Sequence, residues 1–360
     1  MKKYLFSLFV ICITTICNAQ KQPTLKEAYG DYFDMGVALS TEDYKEAKAS
    51  TVIVQQFGSI TAENCMKPHQ LAPRKGVYNF APADQLVDYA IANGLRVRGH
   101  ALLWHSAAPD WFFAPEGGKP ATKEVIYGRL RSYIHTVVKH FKGRVYCWDV
   151  VNEAISDRRN GYHRTRSKWY EACGDAEFIE KAFIYAREAD PDIKLFYNDY
   201  NVVDPVKRAK IIRMVAEMKA KGVPIDGIGI QAHWNIVYPT AYQLDCTLAQ
   251  IATLGLDIHI TELDVRVTVK EHGGQLDGDR SAHAIYDLTP ELVAQQEQQY
   301  EMIFETLRKY RKEIQSVTFW NLHDGNTWLD LRRNNIGKNF PLLFDEQIEP
   351  KSSYYKVTQF

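Results

Sequence analysis

Residues 145–153 read VYCWDVVNE, residues 175–191 read DAEFIEKAFIYAREADP and residues 194–201 read KLFYNDYN: a short apolar run, an amphipathic stretch, and a second short apolar run. In the middle segment Phe178, Ala182 and Tyr185 recur at helical spacing beside Ile179, Phe183 and Ala186, and Asp190-Pro191 stops the helix. The flanking runs are apolar on both faces along most of their length, which half-exposed strands are not, so they belong to a buried parallel sheet.

The same theme recurs along the chain. Further runs are FDMGVALS (33–40), FGSITAEN (57–64), LRVRGHALLW (95–104), GIGIQAHW (227–234), LDIHITELD (256–264) and VTFWNL (317–322). Between the fifth and sixth, DPVKRAKIIRMVAEMKAKG carries a stripe of Ile211, Val215 and Met218 and ends at Gly222. Strand starts run from 33 to 317, in seven steps of about 40 residues. Eight strand-helix units are the number that closes a barrel filled by its own side chains. The expected fold class is therefore α/β, a (β/α)8 TIM barrel in one domain. An open doubly wound sheet is the competitor, but it would carry a Gly-rich phosphate turn after its first strand, and MGVALSTEDY (35–44) has none.

Composition narrows the function. The chain has 360 residues, 46% apolar and 24% charged, which excludes disorder, collagen and coiled coil. Lys+Arg 44 balances Asp+Glu 44, so the net field that draws a protein to nucleic acid or an anionic membrane is missing. Tyr, Phe and Trp make up 12%, suited to a large core or to platforms for flat apolar faces such as sugar rings.

Residues 1–19 read as a secretory signal: Lys2 and Lys3, the apolar run YLFSLFVICITTIC, then Asn18-Ala19 at a plausible cut. The apolar run falls short of the roughly 20 residues that a bilayer needs. Lipidation at Cys17 is the alternative, but Ile16 stands where a small residue is wanted. Cleavage near Ala19 leaves residues 20–360 as the domain, exported to a periplasm or the exterior and free of the membrane. Cys65, Cys147, Cys173 and Cys246 then remain, too dispersed for a disulfide framework and without metal spacing, and are read as buried free thiols. Residues 270–290 (KEHGGQLDGDRSAHAIYDLTP), rich in Gly and charge, read as a long loop after the seventh strand.

In such a barrel the site forms at the carboxyl ends of the strands. These ends hold Glu63-Asn64, His100, Trp104-His105, Asn152-Glu153, Asn198-Asp199-Tyr200, Gln231, His233-Trp234, Glu262, Asp264 and Trp320. Amides and indoles outnumber hard oxygen ligands, and no HExxH, calcium loop or DxDxD run occurs, so no metal is expected. No GxSxG turn points to acyl transfer. What remains suits glycoside hydrolysis, in which one protonated carboxyl serves the leaving oxygen and one carboxylate meets the positive charge at the anomeric carbon. Glu153 and Glu262, ending the fourth and seventh strands, are the natural pair. The competing reading gives each glutamate merely a basic partner; the convergence of Asn152, Gln231, His233 and Trp320 weighs against it.

The strings ITAENCMK (60–67), RVRGHALLWH (96–105), WDVVNEA (148–154), LFYNDYN (195–201), GIGIQAHW (227–234), ITELDV (260–265) and TFWNLHDGNTWL (318–329) resemble glycoside hydrolase family 10, the endo-1,4-β-xylanases. The resemblance spans nearly all of the chain after the leader, to PLLFDEQIEPKSSYY (341–355). It implies hydrolysis of internal β-1,4 bonds of xylan with retention, Glu153 as acid/base and Glu262 as nucleophile, their carboxyls about 5–5.5 Å apart. It further implies that Glu63, Asn64, Lys67, His100 and Trp104 line the glycone side and that Asn152 holds the 2-hydroxyl. Gln231 and His233 are expected on Glu262 or the sugar, Asp264 behind His233, Tyr200 near the nucleophile and His105 in support. Trp320 and Trp328 are expected to cover the sugar before the cleavage point. Xylan and xylo-oligosaccharides are the implied partners, with no cofactor and no nucleic acid, and a monomer is expected. Pro68-His69 departs from the aromatic residue usual after Lys67, which bears on the distant glycone contacts. Another β-glycan, mannan or cellulose, or a non-catalytic sugar-binding barrel, are the rival readings.

Overall fold

The computed structural model describes residues 22–268, 284–332 and 337–360. The expected leader, residues 1–19, and residues 270–283 of the expected long loop lie outside the described residues. Nine strands are formed among the described residues: β1 (Asp34–Leu39), β2 (Ser59–Ala62), β3 (Arg96–Trp104), β4 (Cys147–Asn152), β5 (Lys194–Asp199), β6 (Gly227–Ile230), β7 (His233–Asn235), β8 (Asp257–Arg266) and β9 (Ile314–Phe319). All pairings are parallel, in the order β6-β5-β4-β3-β2-β1-β9-β8, and a β6–β8 ladder closes the ring at eight strands.

The ninth strand comes from the expected run 227–234, which breaks in two. Ala232 between its halves adopts φ 64°, a left-handed conformation that a continuous strand cannot contain. The second half leaves the ring and pairs with β8 alone, His233 opposite Asp264. The last strand is also displaced from its expected bounds, running Ile314–Phe319, so Trp320 lies just past its end, its N–H bonded to the Leu263 carbonyl at 3.0 Å.

The helices form where the periodicity places them. Glu177–Ala189 buries Phe178, Ile179, Ala182, Phe183 and Ala186, whereas Tyr185 is only half-buried. Pro205–Ala220 starts with Pro205 and with the Asp204 side chain accepting from the N–H groups of Val206 and Lys207, a cap that satisfies two donors left free by helix geometry. Its buried face includes Ile211, Val215 and Met218. Each such side chain contributes about 1.5–3 kcal/mol on burial. The four described cysteines are free thiols; Cys147 and Cys173 are buried, but Cys65 and Cys246 are only half-buried.

The barrel lumen is polar near its middle. Arg98 on β3 is 1% exposed, forms a forked ion pair with Asp149 on β4, and meets His259 on β8 across the ring. His259 is held well below its ordinary value, first by burial and then by the Arg98 charge, so its neutral ring accepts from the guanidinium. Asp149 also bonds His100 Nδ1 at 2.9 Å, which ties this buried pair to the mouth of the barrel. Removing one partner of a buried pair strands the other charge, at a cost of about 3–5 kcal/mol. Arg98→Met is therefore expected to lower stability by about that amount, read as a shift in the urea unfolding midpoint; an unchanged midpoint would show that Asp149 does not need the pair.

Candidate active site

Strand β4 ends at Asn152, and the next residue turns sharply. Glu153 has φ 59°, a conformation that costs a residue with a side chain on the order of 1–3 kcal/mol. Its neighbours hold it there. The Glu153 N–H donates to the Asn198 carbonyl at 2.9 Å, and its own carbonyl accepts from Arg164 Nε at 3.0 Å. The N–H groups of Ala154 and Ile155 donate to the Tyr197 hydroxyl, at 3.1 Å each.

Arg164 reaches further, donating to the Tyr200 hydroxyl at 2.8 Å. Tyr200 in turn donates to Asp157, and Lys207 bridges Asp157 and Asp199, at 2.8 Å each, with its ammonium 3.6 Å from the centre of the Tyr200 ring. One guanidinium thus joins the backbone of Glu153 to an aromatic wall of the cleft.

Three amides span the space between the glutamates. Gln231 Nε2 donates to Glu153 Oε1 at 3.0 Å and to Asn152 Oδ1 at 3.3 Å. Asn198 Nδ2 donates to the same Asn152 oxygen at 2.9 Å and to Glu262 Oε1 at 2.8 Å, and Thr261 donates to Asn198 Oδ1 at 2.7 Å. Gln231 and Asn198 each donate twice, so both amides are oriented by their neighbours. A Cβ at Gly229 would stand 2.3 Å from Asn198 Oδ1, so glycine there makes room for the bridge.

Glu262 is 5% exposed. Burial alone would raise its pKa. The hydrogen bond from His233 Nε2, at 3.1 Å, the charges of His100 and His233 and the Asn198 bond outweigh burial and bring the carboxyl below the ordinary range. His233 stands between two carboxylates, its Nδ1 2.7 Å from Asp264 Oδ2. Burial disfavours its charged form, but Asp264 and Glu262 prevail and raise it to about 10. It is an imidazolium that donates in both directions. The pair forms because β7 leaves the ring: register with β8 places His233 opposite Asp264, two residues past Glu262.

A cleft of about 650 Å³ opens over these groups. Lys67 lines it from the segment after β2, and His100 and Trp104 from β3, while Asn152, Glu153, Tyr200, Gln231, His233 and Glu262 come from β4 to β8 and the turns after them, and Trp320 and Trp328 from beyond β9. Lys67 is lowered by burial, against the pull of Glu262, Glu63 and Glu153. Trp328 is pinned by its indole N–H on Asp264 Oδ2 at 2.9 Å and its backbone N–H on Asn321 Oδ1 at 2.9 Å. Trp320 meets His100 edge to face at 5.4 Å.

Four expected site residues are not part of the lining. Glu63 accepts from Asn321 at 3.0 Å, and Asn64 accepts from the Lys67 ammonium at 2.8 Å. Asp264 is fully buried. His105 lies near Arg164 and Lys207, and burial together with these two charges lowers it to about 4; among the described residues it has no hydrogen bond to either glutamate. No three or more His, Cys, Asp or Glu side chains among the described residues are grouped to hold a metal ion.

Sequence reading left several contributors without a role. Asn198 was visible at a strand end, but its bridging depends on Gly229 opposite. Arg164 sits in an irregular stretch past β4, where no periodicity points to it. Trp234 was visible at a strand end but given no role, and Asn321, at φ 88°, and the cleft-lining Tyr238, Arg266 and Arg332 carried no signal of their own.

Residues 24–360 match Glycosyl hydrolase family 10. A β-1,4-xylanase from Dictyoglomus thermophilum is 43% identical over 339 residues, 94% of this chain and 91% of that protein. An endo-1,4-β-xylanase from Geobacillus stearothermophilus is 41% identical over 341 residues, 93% of this chain and 98% of that one. The crystal structure of xylanase XynB from Paenibacillus barcinonensis, complexed with a conduramine derivative, superposes with a TM-score of 0.86 at 38% identity, covering 94% of this chain and 99% of the other.

The His233 bond and charge hold Glu262 ionised, so His233→Asn is expected to raise the Glu262 pKa, and ionisation is then lost at a higher pH as the solution is acidified. A ¹³C titration of glutamate-labelled protein reads the shift; an unmoved Glu262 carboxyl signal would show that Asn198 and His100 suffice.

Proposed function

The chain belongs to glycosyl hydrolase family 10, and from that membership we propose its reaction and the residues that perform it. It is an endo-1,4-β-xylanase, which hydrolyses internal β-1,4 bonds of xylan with retention of anomeric configuration.

Glu262 is the nucleophile. Its depressed pKa keeps it ionised to meet the developing charge at the anomeric carbon. Glu153 donates the proton to the leaving oxygen; its carboxyl is less enclosed than that of Glu262 and carries only amide partners. Once Glu262 is esterified, its negative charge is gone, and Glu153 then accepts a proton from the incoming water. The single observation that carries this reading is the amide bridge from Glu153 through Gln231, Asn152 and Asn198 to Glu262, which joins the two carboxyls over one cleft. Asn152 Nδ2 makes only a long 3.3 Å bond to Glu153, leaving it available to a sugar 2-hydroxyl.

Lys67, His100 and Trp104 contact the glycone sugars, with Glu63 and Asn64 orienting Lys67. Trp320 and Trp328 form the wall over the sugar before the cleavage point. Because Trp328 is anchored at two nitrogens, the wall does not withdraw easily. Xylose, which lacks the C6 hydroxymethyl of glucose, fits where glucose clashes. Residues 1–19 are a cleaved leader and the mature protein is exported, acting as a monomer free of the membrane; no helix among the described residues is long and apolar enough to cross one.

In early xylan digestion, ¹H NMR is expected to show the β-anomer first; initial release of the α-anomer would overturn the mechanism. Glu262→Ala is expected to abolish turnover, and Glu153→Ala to cost about 10²–10⁴-fold on xylan but less on an aryl xyloside with a good leaving group. Full activity in either variant removes that residue from its role. Mass spectrometry of exported protein is expected to find Gln20 at the mature N-terminus; recovery of an intact Met1 would refute the leader.

A further inference from the structure

Arg266 and Arg332 line the same cleft as the two glutamates, and neither forms a salt bridge with a carboxylate among the described residues. Arg266 closes β8, four positions past Glu262, and is half-buried. Its Nε donates to the Thr268 carbonyl at 3.1 Å, which leaves its terminal amino groups without a partner among the described residues. Arg332 lies with its guanidinium 4.5 Å from the centre of the Trp328 ring.

The contrast with other arginines is plain. Arg98 pairs with Asp149, Arg164 with Asp157 and Arg187 with Asp226. Two carboxylates at this cleft are engaged by other groups: Asp264 holds His233 and Trp328, and Glu262 holds His233 and Asn198. Burial, and then repulsion from Arg332, lower Arg266 against the opposing pull of Asp264. Two cations that form no salt bridge among the described residues thus line one cleft.

We propose that Arg266 and Arg332 form a subsite for the carboxylate of a uronic acid branch carried on the xylan main chain. The proposal rests on the xylanase reading above. A guanidinium presents its donors as a planar fork that matches a carboxylate and gains little from a neutral hydroxyl. Neutral branches would leave both charges unpaired. A branch attached to the bound chain is also delivered at high effective concentration, so modest affinity is enough to favour a charged substrate.

The test compares kcat/KM for a xylo-oligosaccharide bearing one glucuronic acid branch with that for its methyl ester, which has nearly the same shape and no charge. Wild type is expected to favour the acid by about tenfold, as one or two charge-assisted hydrogen bonds allow, and the preference is expected to shrink as salt rises. In the double variant Arg266→Gln, Arg332→Gln the acid-to-ester ratio is expected to fall to about one. A ratio near one in wild type, or a ratio that survives in the double variant, overturns the proposal. So does inhibition of linear-substrate cleavage by free glucuronate that matches the gain from the branch, which would mark a site for free anions instead. Failure to cleave linear xylo-oligosaccharides at all would sink the xylanase reading, a result distinct from any of these.

Discussion

A buried carboxylate that must stay charged governs the upper half of this barrel. Glu262 is almost sealed from water, where an unpaired charge is costly, and it is stabilised by a protonated His233 that needs its own counter-ion in Asp264. The chain carboxylate, imidazolium, carboxylate explains why β7 must break away from the ring: only a strand riding on β8 in register delivers an imidazole between residues 262 and 264. The same Asp264 then fixes the indole of Trp328. Charge compensation and the placing of a cleft-lining indole are two results of one buried side chain.

The lower half solves a different problem. A ring of eight strands closes over a lumen that bulky branched aliphatic residues often fill, yet here Arg98, Asp149 and His259 occupy it, buried and with Arg98 bonded to both others. Through Asp149 the cluster supports His100 at the cleft floor. A buried polar column thus runs from Arg98 and His259 through Asp149 to His100 in the cleft.

Much of this was legible in the primary structure because it rests on period and position. Runs apolar on both faces, amphipathic stretches between them and a spacing near 40 residues are direct images of strand, helix and ring closure, and polar residues at run ends marked the mouth. What escaped depends on single backbone turns and on contacts between distant residues. The break at Ala232 leaves no trace in GIGIQAHW, since alanine is at home in a strand. The roles of Asn198 and Gly229 are each invisible without the other, as one fills the gap that the other leaves. Arg164 works from an irregular loop, where no repeat singles it out.

The left-handed backbone at Glu153 has an evolutionary consequence. Glycine tolerates that conformation without penalty, so replacing the glutamate there would relieve strain and tend to make the fold more stable, and on the acid/base role proposed for Glu153 it would also silence it. Under selection for persistence alone, drift at this position would run toward a sturdier, inert barrel; only continued demand for turnover keeps the acidic side chain in its uncomfortable seat.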